Sequence, residues 1–588
     1  MNNTFLKRMI CCFVVLILFA SKHTKGTDSL GRADLLDVVP QSTQLIVATR
    51  SVQASYVEIA KSSVVQNLSG PTWKSVLSKH VSTQTGSLLN PRPWLGMDWS
   101  EMSNIDQPGA IVGFLDPAGD VCMMFLVKLG AKASEHPFVK NWLSSNGGDS
   151  TPKAIKLTES SSMYVAPIKG TEVSVCLLIG AEWTCIASSP TAIQGWLTSK
   201  TSKSLQEAGL STQARSLSLT KQWNPGECRF WCSPWTLFNG FTAKKEPNLL
   251  KSAKSYGMDC LESVIGKVLP PTANDPSWQL SYSLSMVQPL SKGLATFNLK
   301  SGLAVDPPKI IRSGMDQQAT TYVDMKPWFG GINHVVDQLI DKDTPGSFGD
   351  LLDSILTDPE GPKIDIRKEL IYRLGPLLFH SSATVADPKV TGLFRQNHVW
   401  ALSLQDGKHA SSVLNKLFDK DDDIKTERVG PYQMWYTVND ESLFFSLKKG
   451  EEQTISVAAI DDAYLYLATD TKWLSDLIAK PQSTNGIDIL RNHHLKQLET
   501  QPFSMRQLMD MRSTLVASWT RMPEKPLEKN ESRSLDLPAL VLTKLLIPGV
   551  SAQEIPKWEQ VKTAFGVISQ SSIVTQRGID VQVWIDAQ

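Results

Sequence analysis

The sequence predicts an α+β fold, arranged as two tandem pseudo-repeat lobes with mainly antiparallel sheets and packed amphipathic helices. Two observations support this prediction. Long helical patterns are few, while short alternating strands bounded by turn residues are many, and this combination favours antiparallel sheets. In addition, one series of strand and helix patterns recurs in the same order in the second half of the chain. Such a recurrence indicates a repeated architecture even where no single motif does.

The recurrence divides the chain into a leader, residues 1–21, and two lobes, residues 38–302 and 318–588. Each lobe is long enough to bury a substantial core. Each also divides into a longer front part and a shorter back part, and the back part of the first lobe is predicted to contain a helix over residues 259–268. These parts are residues 38–200 and 219–302 in the first lobe, and residues 318–482 and 510–588 in the second.

The first matched element is an apolar strand that leads into a helix. Residues 45–50 parallel residues 321–326, and after each strand apolar residues recur at the i, i+3, i+4 spacing of a helix. Arg50 and Lys326 therefore occupy matched positions at the two strand ends. There they could bind an anion, although pairing with a carboxylate or exposure to water is the simpler interpretation.

Three further matches follow in the same order along both lobes. A carboxylate placed to cap a helix comes first, a hairpin that leads into a helix comes second, and a turn before a final strand comes last. The matched pairs are Asp98 and Asp365, residues 173–175 and 455–457, and residues 292–294 and 577–579.

Composition and charge argue against a nucleic-acid partner. The 588 residues are 41% hydrophobic and 20% charged, as in ordinary globular proteins. The formal net charge is +1, and no run rich in Lys and Arg occurs. The basic surface that nucleic-acid binding requires is therefore missing.

The N-terminus has the pattern of an export signal. Lys7 and Arg8 precede an apolar run over residues 9–20, and polar residues follow it. This run is shorter than the roughly 20 residues that a membrane-spanning helix needs. We expect a signal peptide that directs the chain to the periplasm or outside the cell. The alternative is an uncleaved anchor, which would then be the only contact of the chain with a membrane.

All cysteines after the leader lie in the first lobe. They are Cys122, Cys176, Cys185, Cys228, Cys232 and Cys260. An even number in an exported protein permits disulfides, and a two-residue turn near Gly180 would place Cys176 opposite Cys185. The alternative is that the thiols fill the core as small apolar side chains, so their pairing stays open.

No motif assigns a catalytic, cofactor-binding or metal-ligating residue. His493 and His494 are neighbours, and because consecutive side chains point to different faces, joint metal binding is not expected. Cys228 and Cys232 share one face of a predicted strand, but two further zinc ligands lack an obvious source. Residues 419–423 lack the Gly and Glu that complete a calcium loop, so a solvated loop is expected. A nucleophile elbow is absent, although a triad of distant residues would leave no local motif.

Tryptophan is unusually frequent, with 17 residues. Exposed indoles could stack on sugars or other flat ligands. However, Trp196 and Trp473 lie on the apolar stripes of equivalent helices, which favours a role in the core. The loose cluster in which a binding platform would be sought is Trp94, Trp99, Trp223, Trp231 and Trp235.

Two segments resemble a group of exported bacterial proteins of unknown function that are built from repeated α+β modules. These segments are the strand opening at residues 40–43 and the stretch from Ile364-Asp365 to Leu374-Gly375, while Gln107-Pro108 replaces the Leu-Gly in the first copy. The resemblance spans most of the chain. It implies an architecture and supplies no catalytic residues.

We therefore predict a non-enzymatic exported protein that acts as a binding or scaffold module of the cell envelope or the extracytoplasmic space. An envelope protein or polymer is the expected partner, and no cofactor is assigned. The alternative hypothesis is a hydrolase whose site assembles from distant residues in a cleft between the lobes. A third hypothesis is a sensor domain tethered to the membrane by its N-terminal segment.

Overall fold

The computed structural model describes most of the chain after the leader, and residues 1–21 lie outside the described part. The described stretches, with a few single positions between them, are residues 43–61, 99–115, 121–147, 153–158, 161–167, 174–187, 189–199, 226–245, 247–272, 274–311, 315–340, 346–387, 391–419, 421–437, 455–479, 492–520 and 557–586. No helix within these stretches is both long enough and apolar enough to cross a membrane.

Twenty strands in the described residues form one continuous antiparallel sheet. The strands of the first half are β1 (Thr43–Thr49), β2 (Gly109–Leu115), β3 (Val121–Val127), β4 (Lys153–Thr158), β5 (Ser161–Pro167), β6 (Ser174–Ile179), β7 (Thr184–Ala187), β8 (Cys228–Cys232), β9 (Leu261–Leu269) and β10 (Ser277–Met286). Those of the second half are β11 (Gln317–Tyr322), β12 (Leu374–Ala386), β13 (Phe394–Leu404), β14 (Ile424–Val429), β15 (Tyr432–Thr437), β16 (Val457–Ile460), β17 (Tyr464–Ala468), β18 (Met505–Asp510), β19 (Val567–Thr575) and β20 (Gly578–Asp586).

The strands of the two halves pair in the same order. From its outer edge inward, the first half is ordered β4-β5-β6-β7-β3-β2-β1-β8-β9-β10. The second half is ordered β14-β15-β16-β17-β13-β12-β11-β18-β19-β20. Strands β10 and β20 pair with each other from Ser277↔Asp586 to Ser285↔Gly578 and so join the halves. The predicted α+β class with antiparallel sheets is confirmed.

The predicted front and back parts of each half are not separated in the sheet. Strand β8 pairs directly with β1, and β18 pairs directly with β11. The back part of each half therefore continues the sheet that the front part begins.

Helices cover the sheet. Within the described residues they are α1 (Val52–Lys61), α2 (Pro137–Gly147), α3 (Pro190–Ser199), α4 (Pro234–Lys245), α5 (Pro247–Ser255), α6 (Met325–Ile340), α7 (Ser347–Thr357), α8 (Ile366–Glu369), α9 (Gly407–Phe418), α10 (Thr471–Ala479), α11 (His493–Gln497), α12 (Met511–Thr520) and α13 (Trp558–Val561). As predicted, Asp365 caps a helix, since its Oδ1 accepts a hydrogen bond from the Lys368 backbone N–H of α8 at 3.1 Å. Its proposed counterpart Asp98 lies outside the described residues.

Strand β1 is buried along nearly its whole length because apolar clusters cover both faces of the sheet there. Alternate residues of a strand point to opposite faces. In β1, Leu45 and Val47 belong to one apolar cluster, whereas Ile46 and Ala48 belong to another on the opposite face. Burying an aliphatic side chain of this size contributes roughly 1.5–3 kcal/mol, so this strand anchors two cores at once.

Three sequence predictions fail at the level of elements. Residues 259–268 are predicted to be helical but form the short 3₁₀ turn Met258–Cys260 and the strand β9, because Val264 and Val268 alternate into a buried apolar face. Residues 292–294 are predicted to form a hairpin turn but begin the 3₁₀ helix Lys292–Phe297. Lys326 lies exposed in the first turn of α6 rather than at a strand end, so it does not match Arg50.

Candidate functional site

A cavity lies where the two halves meet. It has a volume of about 540 Å³ and is lined by residues of β8, β9, β10, β19 and β20 together with the turn that follows α11. A volume of this size is in the range that holds a small ligand. Because β10 and β20 form the junction, residues of both halves contribute to the cavity.

A row of polar side chains, the floor row, crosses six strands, and its members from β8 to β19 line the floor of the cavity. Residues that are neighbours in the register of a sheet project from the same face. From β8 to β18 the row consists of Arg229, Lys267, Ser281, Gln582, Ser571 and Arg506. Each half supplies three members, and an arginine stands at each end of the row.

A second row lies beside the first. Ser283 of β10 pairs with Asp580 of β20, and the row ends on either side at Ile265 and Ile573. All four residues line the cavity. The floor therefore offers polar groups at its centre and apolar side chains at its margins, which is the usual composition of a small-molecule site.

Several polar groups of the floor have no partner in the described part of the protein. Lys267, Ser281, Gln582 and Asp580 make no side-chain hydrogen bond or ion pair with any described residue. Such groups are held in place by the sheet and are available to a ligand, because no bond within the protein has to break first.

Arg229 is oriented by a buried carboxylate. Oε1 of Glu227 accepts a hydrogen bond from Nε of Arg229 at 2.5 Å, and Oε2 accepts one from the Asn224 backbone N–H at 2.7 Å. The guanidinium also lies over the ring of Trp223, with 4.4 Å between Cζ and the ring centroid. Glu227 is buried, and a buried carboxylate needs such partners. The pair therefore fixes one end of the floor.

Arg506 holds the opposite wall of the cavity. Its Nη2 donates hydrogen bonds to the carbonyl oxygen of Leu498 and, at 3.1 Å, to that of Gln501. The guanidinium lies 4.2 Å from the ring centroid of Phe503. The turn that contains Leu498 and Gln501 lines the cavity, so Arg506 anchors this wall to β18.

The charges of the lining compensate one another. Arg229 and Glu227 form an ion pair, while Lys267 and Asp580 contribute one charge of each sign without a direct partner. Such a lining suits a ligand that carries hydroxyl or amide groups, or charges of both signs, better than a strongly ionic ligand.

A serine, a histidine and an aspartate meet at the junction, beside the cavity. Nε2 of His494 lies 2.8 Å from Oγ of Ser277 and 3.2 Å from Oδ1 of Asp586, and Ser277 donates a hydrogen bond to the same Oδ1 at 2.7 Å. Burial, and next the adjacent His493 ring, lower the pKa of His494. Ser277 is completely buried, with 0% of its surface exposed. Its hydroxyl thus bonds to His494 and Asp586 and does not face a substrate.

The predicted pair Cys176 and Cys185 is not aligned across its hairpin. The loop contains residues 180–183, where the Gly180 N–H donates to the Trp183 carbonyl at 3.2 Å, and this longer loop pairs Cys176 with Ala187. The two-residue turn that this pairing required is therefore replaced by a four-residue loop. All six cysteines after the leader are free thiols, and this pair lies in one apolar cluster, in agreement with the alternative interpretation. Burial raises the pKa of Cys176 to about 12.

Cys228 and Cys232 share one face of β8, as predicted, and both lie in the apolar core. Burial raises the pKa of Cys232 to about 12, and burial together with the charge of Glu227 raises that of Cys228. Metal ligation requires thiolates, so this environment favours packing over zinc binding. The acidic residues Asp421, Asp422 and Asp423 are exposed in the turn between α9 and β14, as expected of a solvated loop.

The tryptophans whose surroundings the structure describes are buried or half-buried. Trp223 and Trp231 are buried, as is Trp196, and Trp235 is half-buried against Phe238. Trp94 lies outside the described residues. The sequence did not point to the floor of the cavity, because its residues are ordinary Ser, Gln, Lys and Arg that become neighbours only through strand pairing.

Comparisons with known proteins identify no family. No protein-family model matches the chain, and no curated protein is significantly similar to it. Among solved structures, one titled "Structure of crystal form III of TP0453" aligns with 47% of this chain and 90% of its own, at 9% identity and a TM-score of 0.24. A score this low supports no conclusion about fold or function.

Proposed function

We propose that this protein is a non-catalytic binding module of the cell envelope or the extracytoplasmic space, and that it binds a polar ligand in the cavity between its halves. The observation that carries the proposal is the part of the floor row from Arg229 to Ser571, which presents polar groups of both halves to one cavity. An envelope polymer or protein segment rich in hydroxyl or amide groups fits this lining.

We further propose that the two halves are tandem copies of one α+β unit. Their common strand order supports this proposal, as does the position of β10 and β20 as the innermost strand of each half. Duplication explains why the floor row has an arginine at each end, contributed by the equivalent strands β8 and β18. A site at the junction would then be a property of the pair of units rather than of either unit alone.

Export is the second part of the proposal and rests on the leader. Lys7, Arg8 and the apolar run over residues 9–20 support a signal peptide. Intact mass of the protein purified from its native envelope tests this part. Loss of about twenty residues supports a cleaved signal, whereas a full-length mass supports the tethered alternative.

The hydrolase alternative draws on the contact between Ser277, His494 and Asp586. A serine nucleophile must reach the carbonyl carbon of its substrate. Ser277 is completely buried and donates a hydrogen bond to Asp586, so the arrangement is better explained as a polar network that joins α11 to β10 and β20.

Ligand binding can be tested with a thermal-shift screen of the signal-less chain against envelope oligosaccharides and peptides. A ligand at 100 times its Kd adds about 2.7 kcal/mol to the free energy of unfolding, which gives a clear shift. We expect Lys267→Ala and Gln582→Ala to weaken binding of any hit by about 1 kcal/mol each, the net value of a typical hydrogen bond.

Lys425→Ala is the matched control, because Lys425 lies exposed on the outer strand β14, far from the cavity in strand order. This variant should bind like the wild type. Hits that bind equally well to Lys267→Ala, Gln582→Ala and Lys425→Ala would contradict the proposed site.

A further inference from the structure

We infer that His493, His494 and Asp275 form a binding site for one divalent transition metal ion of the zinc class. Among the described residues, these three alone form a group whose possible ligand atoms all lie within 4.8 Å of one another. The sequence suggested that adjacent histidines point apart. In the structure the two imidazole centroids lie only 3.7 Å from each other.

The gap between His494 and Asp275 suits an ion. Nδ1 of His494 and Oδ2 of Asp275 are 4.0 Å apart, which is too long for a hydrogen bond. Two ligand atoms of one tetrahedral zinc ion lie roughly 3.3 Å apart, given bond lengths of about 2.0–2.2 Å. A small movement of the partly exposed carboxylate would therefore complete the contact.

Hydrogen bonds on the far side of the His494 ring leave Nδ1 as a donor atom for a metal. Nε2 contacts Oδ1 of Asp586 at 3.2 Å and Oγ of Ser277 at 2.8 Å. Since the Ser277 hydroxyl proton is directed to Asp586, Nε2 carries the ring hydrogen and Nδ1 carries the lone pair. A carboxylate on the remote nitrogen of a ligating histidine is a common feature of protein zinc sites.

The carboxylate of Asp275 is also held in position. Oδ1 accepts a hydrogen bond from the Ser277 backbone N–H at 3.0 Å, and Oδ2 accepts one from Nε2 of Gln279 at 2.8 Å. The His494 ring is stacked on Trp584, with centroids 5.2 Å apart and an angle of 13° between the planes. Two of the three ligands are thus oriented before any ion arrives.

Exposure of the third ligand, His493, opens the site to solvent. His493 is exposed and Asp275 is partly exposed, whereas only 2% of His494 is accessible. Two imidazoles and one carboxylate, with a water molecule in the open position, form a donor set typical of zinc and of cobalt(II). A hard ion such as Ca²⁺ or Mg²⁺ requires more oxygen ligands than this cluster offers.

The position of the site gives the ion a structural role. Ser277 and Ser281 belong to β10 and are four residues apart, so they project from the same face at a separation of about 13 Å. His493 and His494 begin α11, and the turn after α11 forms one wall of the cavity. A bound ion would tie this wall to the junction strands. The inference does not depend on the identity of the cavity ligand.

The test is metal titration of the full chain after removal of metal with a chelator. We expect one equivalent of Co²⁺ to produce the visible absorption of a tetrahedral site, Zn²⁺ to displace it, and Zn²⁺ to raise the melting temperature. His493→Ala and Asp275→Asn should each weaken Co²⁺ binding roughly tenfold or more. Both side chains are at least partly exposed, so the variants should fold, and circular dichroism with melting in chelator verifies this.

His409→Ala is the matched control, because His409 lies on helix α9 outside the cluster. It should bind Co²⁺ like the wild type. Absence of stoichiometric binding by the wild type would overturn the inference, and so would equal affinity of folded His493→Ala and wild type. If His493→Ala, Asp275→Asn and His409→Ala all lost metal binding to the same extent, the loss would not be specific to the cluster, and the inference would be overturned.

Discussion

At the scale of single residues, His380, His398 and Trp400 form a stack across β12 and β13. The His380 ring centroid lies 5.4 Å from each of the other two rings, and its Nε2 lies 3.1 Å from Nδ1 of His398. Burial, and next the charge of His398, lower the pKa of His380 to about 4, and burial lowers the pKa of His398. Both imidazoles are therefore neutral at pH 7.

We predict that acid destabilises the protein through this stack. The pKa of His380 is about 4 in the folded protein, against an ordinary histidine value of 6.5, so the unfolded chain binds more protons within this window and the free energy of unfolding falls as pH falls. The shift corresponds to about 3 kcal/mol, present above pH 7 and lost towards pH 4. Urea denaturation at several pH values should show a smaller loss in His380→Phe than in the wild type.

Trp400→Phe serves as the control for this prediction. It alters the same stack without removing a titratable group, so it should change stability at all pH values while the wild-type pH dependence persists. If His380→Phe retained the full wild-type dependence, other groups would be responsible for the loss.

The face of a strand on which a residue lies could be predicted from the sequence better than the residues that it contacts. The shared face of Cys228 and Cys232 followed from strand periodicity, because both lie on one short strand. Neither the strand register of Cys176 nor the close approach of the His493 and His494 rings could be predicted in this way. The register depends on a loop two residues longer than assumed, and the approach of the rings depends on the turn geometry at the start of α11.

At the scale of elements, the predictions succeeded where periodicity was strong and local. The apolar strand before α1 and the capping carboxylate of α8 were both anticipated. Residues 261–269 contain apolar side chains at positions compatible with either a helix or a strand. They form a strand because they pair with β8 and β10. Contacts between distant segments cannot be read from such a short pattern.

Helix α7 depends on a capping residue that belongs to another helix. Asp337 of α6 accepts hydrogen bonds from the Phe348 N–H at 2.7 Å and the Gly346 N–H at 3.1 Å, and only 5% of its surface is exposed. Asp337→Ala leaves the buried Phe348 N–H and the partly buried Gly346 N–H without this acceptor, so we predict that the free energy of unfolding falls by about 1–3 kcal/mol. Chemical denaturation monitored by circular dichroism measures this loss.

Asp337→Asn is the informative comparison. The amide keeps an acceptor oxygen for one of the N–H groups but removes the negative charge at the helix N-terminus. Its loss should be smaller than that of the alanine variant. Two equal losses would mean that charge, rather than hydrogen bonding, holds α7 against α6.

At the scale of the whole molecule, the order of elements could be recognised from the sequence, but the joining of the halves could not. Apolar patterns predicted a recurring series of elements. The pairing of β10 with β20, which creates both the cavity floor and the network around Ser277, involves polar strands whose residues are shared between two distant segments. The sequence predicted two tandem lobes but not how they pack, and the hydrogen-bonded sheet runs continuously through both halves.

Continuity of the sheet predicts that damage at the junction spreads to both halves. Gly578 begins β20 with φ of 148°, and a Cβ there would lie 1.8 Å from the carbonyl oxygen of Leu284 on β10. The added Cβ is fixed to the backbone of β20 and the oxygen belongs to the backbone of β10, so neither can move without moving its strand. Gly578→Ala should therefore lower the free energy of unfolding by about 2–4 kcal/mol. Hydrogen exchange should then accelerate by the same factor in the amides of β1 and β12, which lie on opposite sides of the junction. Gly349→Ala, where an added Cβ meets nothing within 4 Å, should accelerate neither strand. Faster exchange confined to β10 and β20 would show that the two halves unfold independently.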